Sequence, residues 1–277
     1  MKILIIGSKG MLGQELVKVF HDQEVVAWDR EDCDITQKED VQNKIKSVAP
    51  DLIINAAAYN DVDGAEKEKD LADMINGYAP GYIAEAADEA GARLVHYSTD
   101  YVFPGDVQQG YREDIMPDPI SAYGLSKYLG ELETAKFTKR YFLIRLSRLF
   151  GPAGTGAGAK KSFVDKMIEL AQTRDELDII NEEVSSPTYA PDLAKTTRQI
   201  VEGDYDFGIY HAANKGACTW YEFAQAIFKI KEIDIKLNPV PGSKFPRAAK
   251  RPAYSVLLNT KLPEARTWQE ALWEYLK

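Results

Sequence analysis

The chain opens with an apolar run, Ile3-Leu4-Ile5-Ile6, that passes directly into Gly7-Ser8-Lys9-Gly10-Met11-Leu12-Gly13 and from there into a helical pattern. Few folds accept that order. A short apolar run bounded by glycine reads as a strand buried on both faces, and such strands belong to parallel sheets covered by helices. Parallel strands need a crossover between them, and the residues after Gly10 have the apolar spacing of one helix face. The run is too short for a secretory leader, and no stretch approaches the roughly 20 apolar residues of a membrane span.

The pattern then recurs. Residues 24–28, 52–55, 94–98 and 142–146 read as further strands, and 11–20, 38–48, 71–90 and 123–138 as the helices between them. This alternation predicts an α/β fold with a Rossmann-type, doubly wound parallel sheet, whose ligands sit at the carboxyl ends of the strands. Residues 151–159 interrupt the rhythm with four glycines and a proline, as a domain-crossing linker or a substrate loop does. Beyond them, 162–173 and 219–231 read as helices, the latter capped by Thr219 with Glu222 three residues on. The expected division is a dinucleotide-binding domain over 1–150, to which segments near 178–209 and 246–262 return. The rest of 151–277 then forms a smaller substrate-binding lobe.

Composition removes several classes. A net charge of −9 and an isoelectric point near 5.0 argue against a nucleic-acid groove or an anionic membrane surface as partner. Cys33 and Cys218 stand far apart with no C-x-x-C or Cys/His cluster, which suits a reducing cytoplasm and yields no disulfide framework or zinc site. His21, His96 and His211 read as packed or hydrogen-bonded side chains, and no metal role is assigned.

The glycines of Gly7–Gly13 permit a tight turn and let backbone approach a pyrophosphate at a helix N-terminus. Asp29 lies where the second strand ends, and a carboxylate there accepts both hydroxyls of an adenosine ribose. Arg30, next to it, suits a 2′-phosphate instead. NADH and NADPH therefore both stay open, as does a solvated charged loop. Ala56, Ala57 and Ala58 follow the third strand, where small residues let a flat ligand lie on the backbone or let a helix pack.

Of the 15 tyrosines only Tyr123 has a lysine four residues on, which places Lys127 on the same helix face. A free phenol titrates at about 10, and a nearby ammonium lowers that value toward the range useful for proton exchange. Ser98 and Thr99 end the fourth strand at the ligand edge, where one hydroxyl can bond a carbonyl oxygen as it becomes an alkoxide.

Several longer motifs carry a resemblance. They are Asn55-Ala56-Ala57-Ala58-Tyr59, Val62-Asp63-x-Ala65-Glu66, Ile75-Asn76 and Ser98-Thr99-Asp100-Tyr101-Val102-Phe103. Tyr123-Gly124-x-Ser126-Lys127-x-x-Gly130-Glu131, Ser186-Pro187-Thr188-Tyr189-Ala190 and Gly208-Ile209-Tyr210-His211 follow. Thr219-Trp220-Tyr221-Glu222-Phe223-Ala224 and Arg251-Pro252-x-x-Ser255 complete the set. Over nearly its whole length the chain resembles the extended short-chain dehydrogenases, and within them the dTDP-4-dehydrorhamnose reductase family. That resemblance implies a Rossmann domain with a small substrate lobe, Thr99, Tyr123 and Lys127 as catalytic triad, and NAD(P)H reduction of the C4 keto group of a dTDP-sugar.

The implied cofactor contacts are Gly7, Gly10, Met11, Leu12, Gly13, Asp29, Arg30, Asp34, Ile35 and Ala56–Ala58, together with Tyr123 and Lys127. The implied substrate contacts are Val62, Asp63, Thr99, Tyr101 and Phe103, with Arg247 or Arg251 for the phosphates. Where the family shows Arg-Thr-Ser-Trp-Val-Tyr, this chain has Arg145-Leu146-Ser147-Arg148-Leu149-Phe150. Arg148 thus replaces a tryptophan that faces the sugar, and either bonds the sugar through its fork or points to solvent. Some members dimerise through a magnesium ion held by glutamates. Glu15 matches one such position, but Asp192 stands near another, so a metal-bridged dimer is unsupported; the chain is expected as a monomer or homodimer. Two other functions stay open as well: an epimerase or dehydratase of another nucleotide sugar, and a non-catalytic regulatory subunit.

Overall fold

The computed structural model describes residues 1–156 and 159–277. In the first half, β1 (Lys2–Ile6), α1 (Met11–Val19), β2 (Glu24–Trp28), α2 (Lys38–Val48) and β3 (Leu52–Asn55) lead into α3 (Lys69–Asp73) and α4 (Ala79–Ala90). Then come β4 (Arg93–Thr99), α5 (Ala122–Phe137), β5 (Tyr141–Leu146), β6 (Leu149–Phe150), α6 (Phe163–Ala171), β7 (Glu176–Ile180), β8 (Val184–Ser185) and β9 (Thr188–Tyr189). The chain continues through α7 (Ala190–Glu202), β10 (Gly208–His211), β11 (Cys218–Thr219), α8 (Trp220–Lys231), β12 (Lys236–Val240) and α9 (Trp268–Leu276).

The main sheet has the order β10-β5-β4-β3-β1-β2, and every pairing in it is parallel. After β2 the chain crosses back to lay β3 on the other side of β1, so the crevice of a doubly wound sheet opens beside the carboxyl end of β1. Side chains alternate faces along each strand. Ile3 and Ile5 pack with Leu12, Leu16, Leu193 and Ile200 of α1 and α7, whereas Leu4 and Ile6 pack with Val41, Ile45, Ile83 and Ala87 of α2 and α4. All four strand residues are at most 3% exposed, which is why they read as one unbroken apolar run.

The single helix expected over 71–90 is divided. Between α3 and α4, Met74–Tyr78 form a π-helical turn in which the amide of Ala79 bonds the carbonyl of Met74. Pro80 has no N–H for the carbonyl of Asn76 and its ring crowds that carbonyl, so the turn widens. The freed Asn76 carbonyl faces Gly130 of α5 so closely that a Cβ there would lie 2.1 Å from it.

A separate core lies beyond β5. Val164 and Met167 of α6, Leu177 and Ile179 of β7, Phe223 and Ile227 of α8 and Trp268 and Leu272 of α9 pack together. In the same region β7 pairs with β12 and β8 with β11, while β6 pairs with β9. The chain between β12 and α9 returns to the sheet, where Leu257 bridges Tyr111 and packs with Val102 and Phe103. Among the described residues no helix is long and apolar enough to cross a membrane.

Candidate active site

At the end of β1 the backbone turns through Gly7, whose φ of +81° is left-handed. A Cβ on Gly13 would lie 2.0 Å from the Gly7 carbonyl oxygen, so only glycine lets α1 start this close to the strand. No side chain caps α1, and its first intrahelical bond is Gln14 N to Gly10 O at 3.1 Å. The amides of Met11, Leu12 and Gly13 therefore form a positive helix end, a seat that a pyrophosphate fits in shape and charge. Ala56–Ala58 border it, Ala57 touching Gly7. The segment after β6 folds over the turn, with Thr155 N and Gly156 N donating to Lys9 O at 2.9 and 3.1 Å; positions 157 and 158 of the expected loop lie outside the described residues.

Asp29 does stand at the end of β2, and it also staples the turn. Its carboxylate accepts the Lys9 amide at 3.0 Å and the Arg30 amide at 2.9 Å, while the Arg30 side chain is exposed. The Asp34 carboxylate is taken by the Thr36 amide and hydroxyl at 3.0 and 2.7 Å, and Ile35 packs into the core under α2 and α4.

Thr99 ends β4, and Tyr123 and Lys127 occupy the first turns of α5, whose N-cap Ser121 accepts the Gly124 amide at 3.2 Å. The Thr99 hydroxyl faces the Tyr123 phenol. Val62, Ala65 and Tyr101 pack around Tyr123, and the Tyr101 ring meets it edge-on at 5.8 Å. Lys127 is buried and donates from Nζ to the Tyr97 carbonyl at 2.6 Å. Burial brings its ammonium down to about 8, and the Glu131 charge opposes that shift.

Burial pushes Tyr123 above its ordinary value, with the neighbouring Thr99 hydroxyl opposing and the Asp100 charge reinforcing. One of the three Lys127 N–H groups goes to the Tyr97 carbonyl, and burial decides the sign of the phenol's shift. A raised phenol stays protonated at neutral pH, which is the state a proton donor needs.

Sequence reasoning missed the supports beneath these groups. Asn76, presented by the π turn, bonds Tyr59 N and O at 2.8 and 3.0 Å and the Ser126 hydroxyl at 3.0 Å, and Ser126 donates to the Tyr123 carbonyl at 2.8 Å. Glu131, one turn beyond Lys127, forms a two-point ion pair with Arg145 at 2.8 and 2.6 Å, both residues at most 4% exposed. Asn76 and Glu131 lie in the Ile75-Asn76 and Tyr123–Glu131 motifs, where their type and spacing carry no sign of these contacts.

On the substrate side the structure gathers most of the expected residues. Asp63 holds Arg251 at 2.7 and 3.1 Å, and this pairing keeps its carboxyl below the usual range. Arg247 pairs with Glu183, which also accepts the Trp220 indole N–H at 3.0 Å. Burial pushes the Tyr101 phenol above its ordinary value, and the Asp100 charge reinforces the shift. A groove of about 550 Å³ runs from Trp220 past Phe163, Met167, Leu177 and Ile179 to Phe245.

Two substrate expectations are corrected. Phe103 cannot meet a ligand: its ring is fully buried, stacked on Tyr111 at 4.3 Å with the Arg145 guanidinium 5.0 Å above it. Arg148 neither points to solvent nor offers a free fork. It adopts a left-handed φ of +43°, donates to the Cys218 and Glu183 carbonyls at 2.7 Å each, and lies 3.9 Å over the Trp220 ring. Arg148→Ala should therefore lower stability in urea by about 2–3 kcal/mol, since it strands two carbonyls. The salt dependence of substrate KM should stay unchanged; a flatter slope in the variant would place the guanidinium on the ligand.

Glu15 and Asp192 are already paired, with Lys18 at 2.7 Å and with Arg266 at 2.7 Å. Among the described residues no cluster of three or more His, Cys, Asp or Glu is arranged to hold a metal ion.

Comparison with known proteins gives a consistent neighbourhood. The family model described as RmlD substrate binding domain matches residues 1–277. The spore coat polysaccharide biosynthesis protein SpsK of Bacillus subtilis is 39% identical, over 100% of this chain and 97% of its own length. A dTDP-4-dehydrorhamnose reductase structure from Clostridium acetobutylicum superimposes with a TM-score of 0.94 at 38% identity, covering 100% of this chain and 98% of that one. The Bacillus anthracis dTDP-4-dehydrorhamnose reductase, solved in complex with NADP, gives a TM-score of 0.93 at 36% identity, covering 99% and 98%.

Proposed function

Because the chain belongs to the RmlD substrate-binding-domain family, we propose that it is an NAD(P)H-dependent reductase that converts the C4 ketone of dTDP-4-dehydro-L-rhamnose to the alcohol of dTDP-L-rhamnose, in nucleotide-sugar and surface-polysaccharide synthesis. The carrying observation is that Thr99, at the end of β4, faces Tyr123 of α5 with Lys127 one turn on, in the same parallel sheet whose β1 ends in the glycine seat. We place the reaction in the cytoplasm, which the two free buried cysteines suit.

In this reading the amides of Met11, Leu12 and Gly13 hold the cofactor's pyrophosphate, and Ala56–Ala58 and Lys127 border the rest of it. Bound NAD(P)H supplies a hydride. The chain's own work is positioning and proton supply. Thr99 donates to the ketone oxygen as charge grows there, and the Tyr123 phenol gives that oxygen its proton. Lys127 remains cationic near neutrality and favours the phenolate left behind. Val62 and Tyr101 shield the phenol from water. Arg247 and Arg251 face the diphosphate, each already balanced by Glu183 or Asp63, so the ligand shares cations that the fold has already oriented. Phe163, Trp220 and Phe245 line the space for the nucleoside.

The decisive assay mixes the protein with NADPH or NADH and the enzymatically made 4-keto-L-sugar nucleotide, follows cofactor oxidation, and identifies the product by NMR. Stoichiometric consumption supports reduction; turnover without net consumption indicates an epimerase or dehydratase, and no turnover a regulatory role. Asp29→Ala should lower kcat/KM for NADH about tenfold more than for NADPH, by removing a ribose acceptor and a charge that repels a 2′-phosphate. Equal proportional losses would mean that Asp29 serves only to staple the glycine turn.

A further inference from the structure

Between Thr99 and Tyr101 sits a carboxyl to which the mechanism has given no work. Asp100 is 2% exposed, and its partners are hydroxyls rather than a cation. Thr99 Oγ1 lies 3.1 Å from Oδ1, and Ser255 Oγ lies 2.5 Å from Oδ2. Ser255 comes from the distant segment after Arg251-Pro252 and is held there by its amide bond to the Val184 carbonyl at 2.9 Å. The charged and titratable groups that face Asp100 are Tyr101 on its own turn, Tyr123 from α5 and Arg148 from the chain after β5. Arg148 spends its fork on the Cys218 and Glu183 carbonyls, so it acts on Asp100 through space only.

A hydroxyl has one proton to give. With Asp100 ionised, the Thr99 proton points to Oδ1, and Thr99 can only accept from the site side. With Asp100 protonated, the carboxyl O–H donates to Thr99 Oγ1 and releases the threonine proton toward the pocket. We propose that Asp100 sets the donor direction of Thr99, its protonated form being the one that lets Thr99 donate to the ketone oxygen. Asp100 is thus a positioning residue for the reduction, and the inference rests on the functional reading above. Burial pushes this carboxyl up to about 6, against the hydrogen bonds from Ser255 and Thr99 and the charge of Arg148, which brings both states within reach near neutrality.

The test is the pH profile of kcat/KM from 5 to 9 in three proteins. The parent should show a falling limb near 6, about tenfold per pH unit beyond it, apart from any limb due to Lys127 near 8. Asp100→Asn should lack the first limb: Ser255 holds the amide oxygen, and the amide N–H faces Thr99 at every pH. Ser255→Ala removes a bond that favours the carboxylate, so the limb should move up by about one unit. A limb unmoved in both variants overturns the proposal. Stability supplies a readout without substrate. The native pKa lies above the unfolded 3.8, so the parent loses stability as pH rises from 4 to 6 and keeps that deficit above. The Tm of Asp100→Asn relative to the parent should therefore climb over that range and then level, and a constant difference counts against the proposal. Failure of the functional reading looks different: the parent then turns over none of the 4-keto sugar nucleotides.

Discussion

Tyr123→Phe is expected to lower kcat by about 10²–10⁴-fold, the usual contribution of a positioned general acid, with the Kd for NADPH nearly unchanged. The substitution removes one oxygen. The ring keeps its packing against Val62, Ala65 and Tyr101, so the pocket wall stays in place. Because burial holds the phenol protonated, the loss should be similar across neutral pH. Lys127→Ala should behave otherwise, raising Kd and lowering kcat together, since in the proposed site the ammonium holds the cofactor and favours the phenolate. Single-turnover rates and titration calorimetry separate the two. A Phe variant with parental kcat would remove Tyr123 from the mechanism.

Arg145→Met should destabilise the fold by about 3–5 kcal/mol in urea, because it leaves the Glu131 carboxylate buried without a partner. The double variant Glu131→Leu/Arg145→Met should recover most of that loss, since neither charge then remains in the core. Its activity should fall nonetheless. Glu131 is the charge that holds the Lys127 ammonium up against burial, so Lys127 should deprotonate below its present value of about 8 and the alkaline limb of kcat should move to lower pH. Full recovery of stability with an unmoved limb would limit the pair to packing.

What was legible in the sequence was local. Ile3-Leu4-Ile5-Ile6 announced a strand because all four side chains are buried, and Tyr123 and Lys127 announced a site because helix geometry alone brings them together. The π turn was written in Pro80, but a proline near a helix start is ordinary, and only the Asn76 contacts show what the widened turn does. β12 hid behind Pro239 and its polar neighbours, which an edge strand tolerates and a central one does not. Phe103 shows the limit of motif reading: position within a matched hexapeptide says nothing about which way a ring turns, and here it turns into the core. The pairings of Asp63 with Arg251 and Asp100 with Ser255 join residues 188 and 155 positions apart, and no periodicity reports them.

Those two long-range pairings also order events in time. The cost of closing so long a loop rises only with the logarithm of its length, so at equilibrium the distance matters little. During synthesis it matters more. At roughly 5–20 residues per second, Arg251 leaves the ribosome roughly 10–40 s after Asp63, long enough for the sheet and its glycine turn to assemble first. A nascent chain at that stage already contains the residues of the glycine turn, Thr99, Tyr123 and Lys127, yet lacks the arginine and serine that arrive with the later segment. The residues of the glycine turn and of α5 are thus all synthesised well before the arginine that pairs with Asp63 and the serine that bonds Asp100.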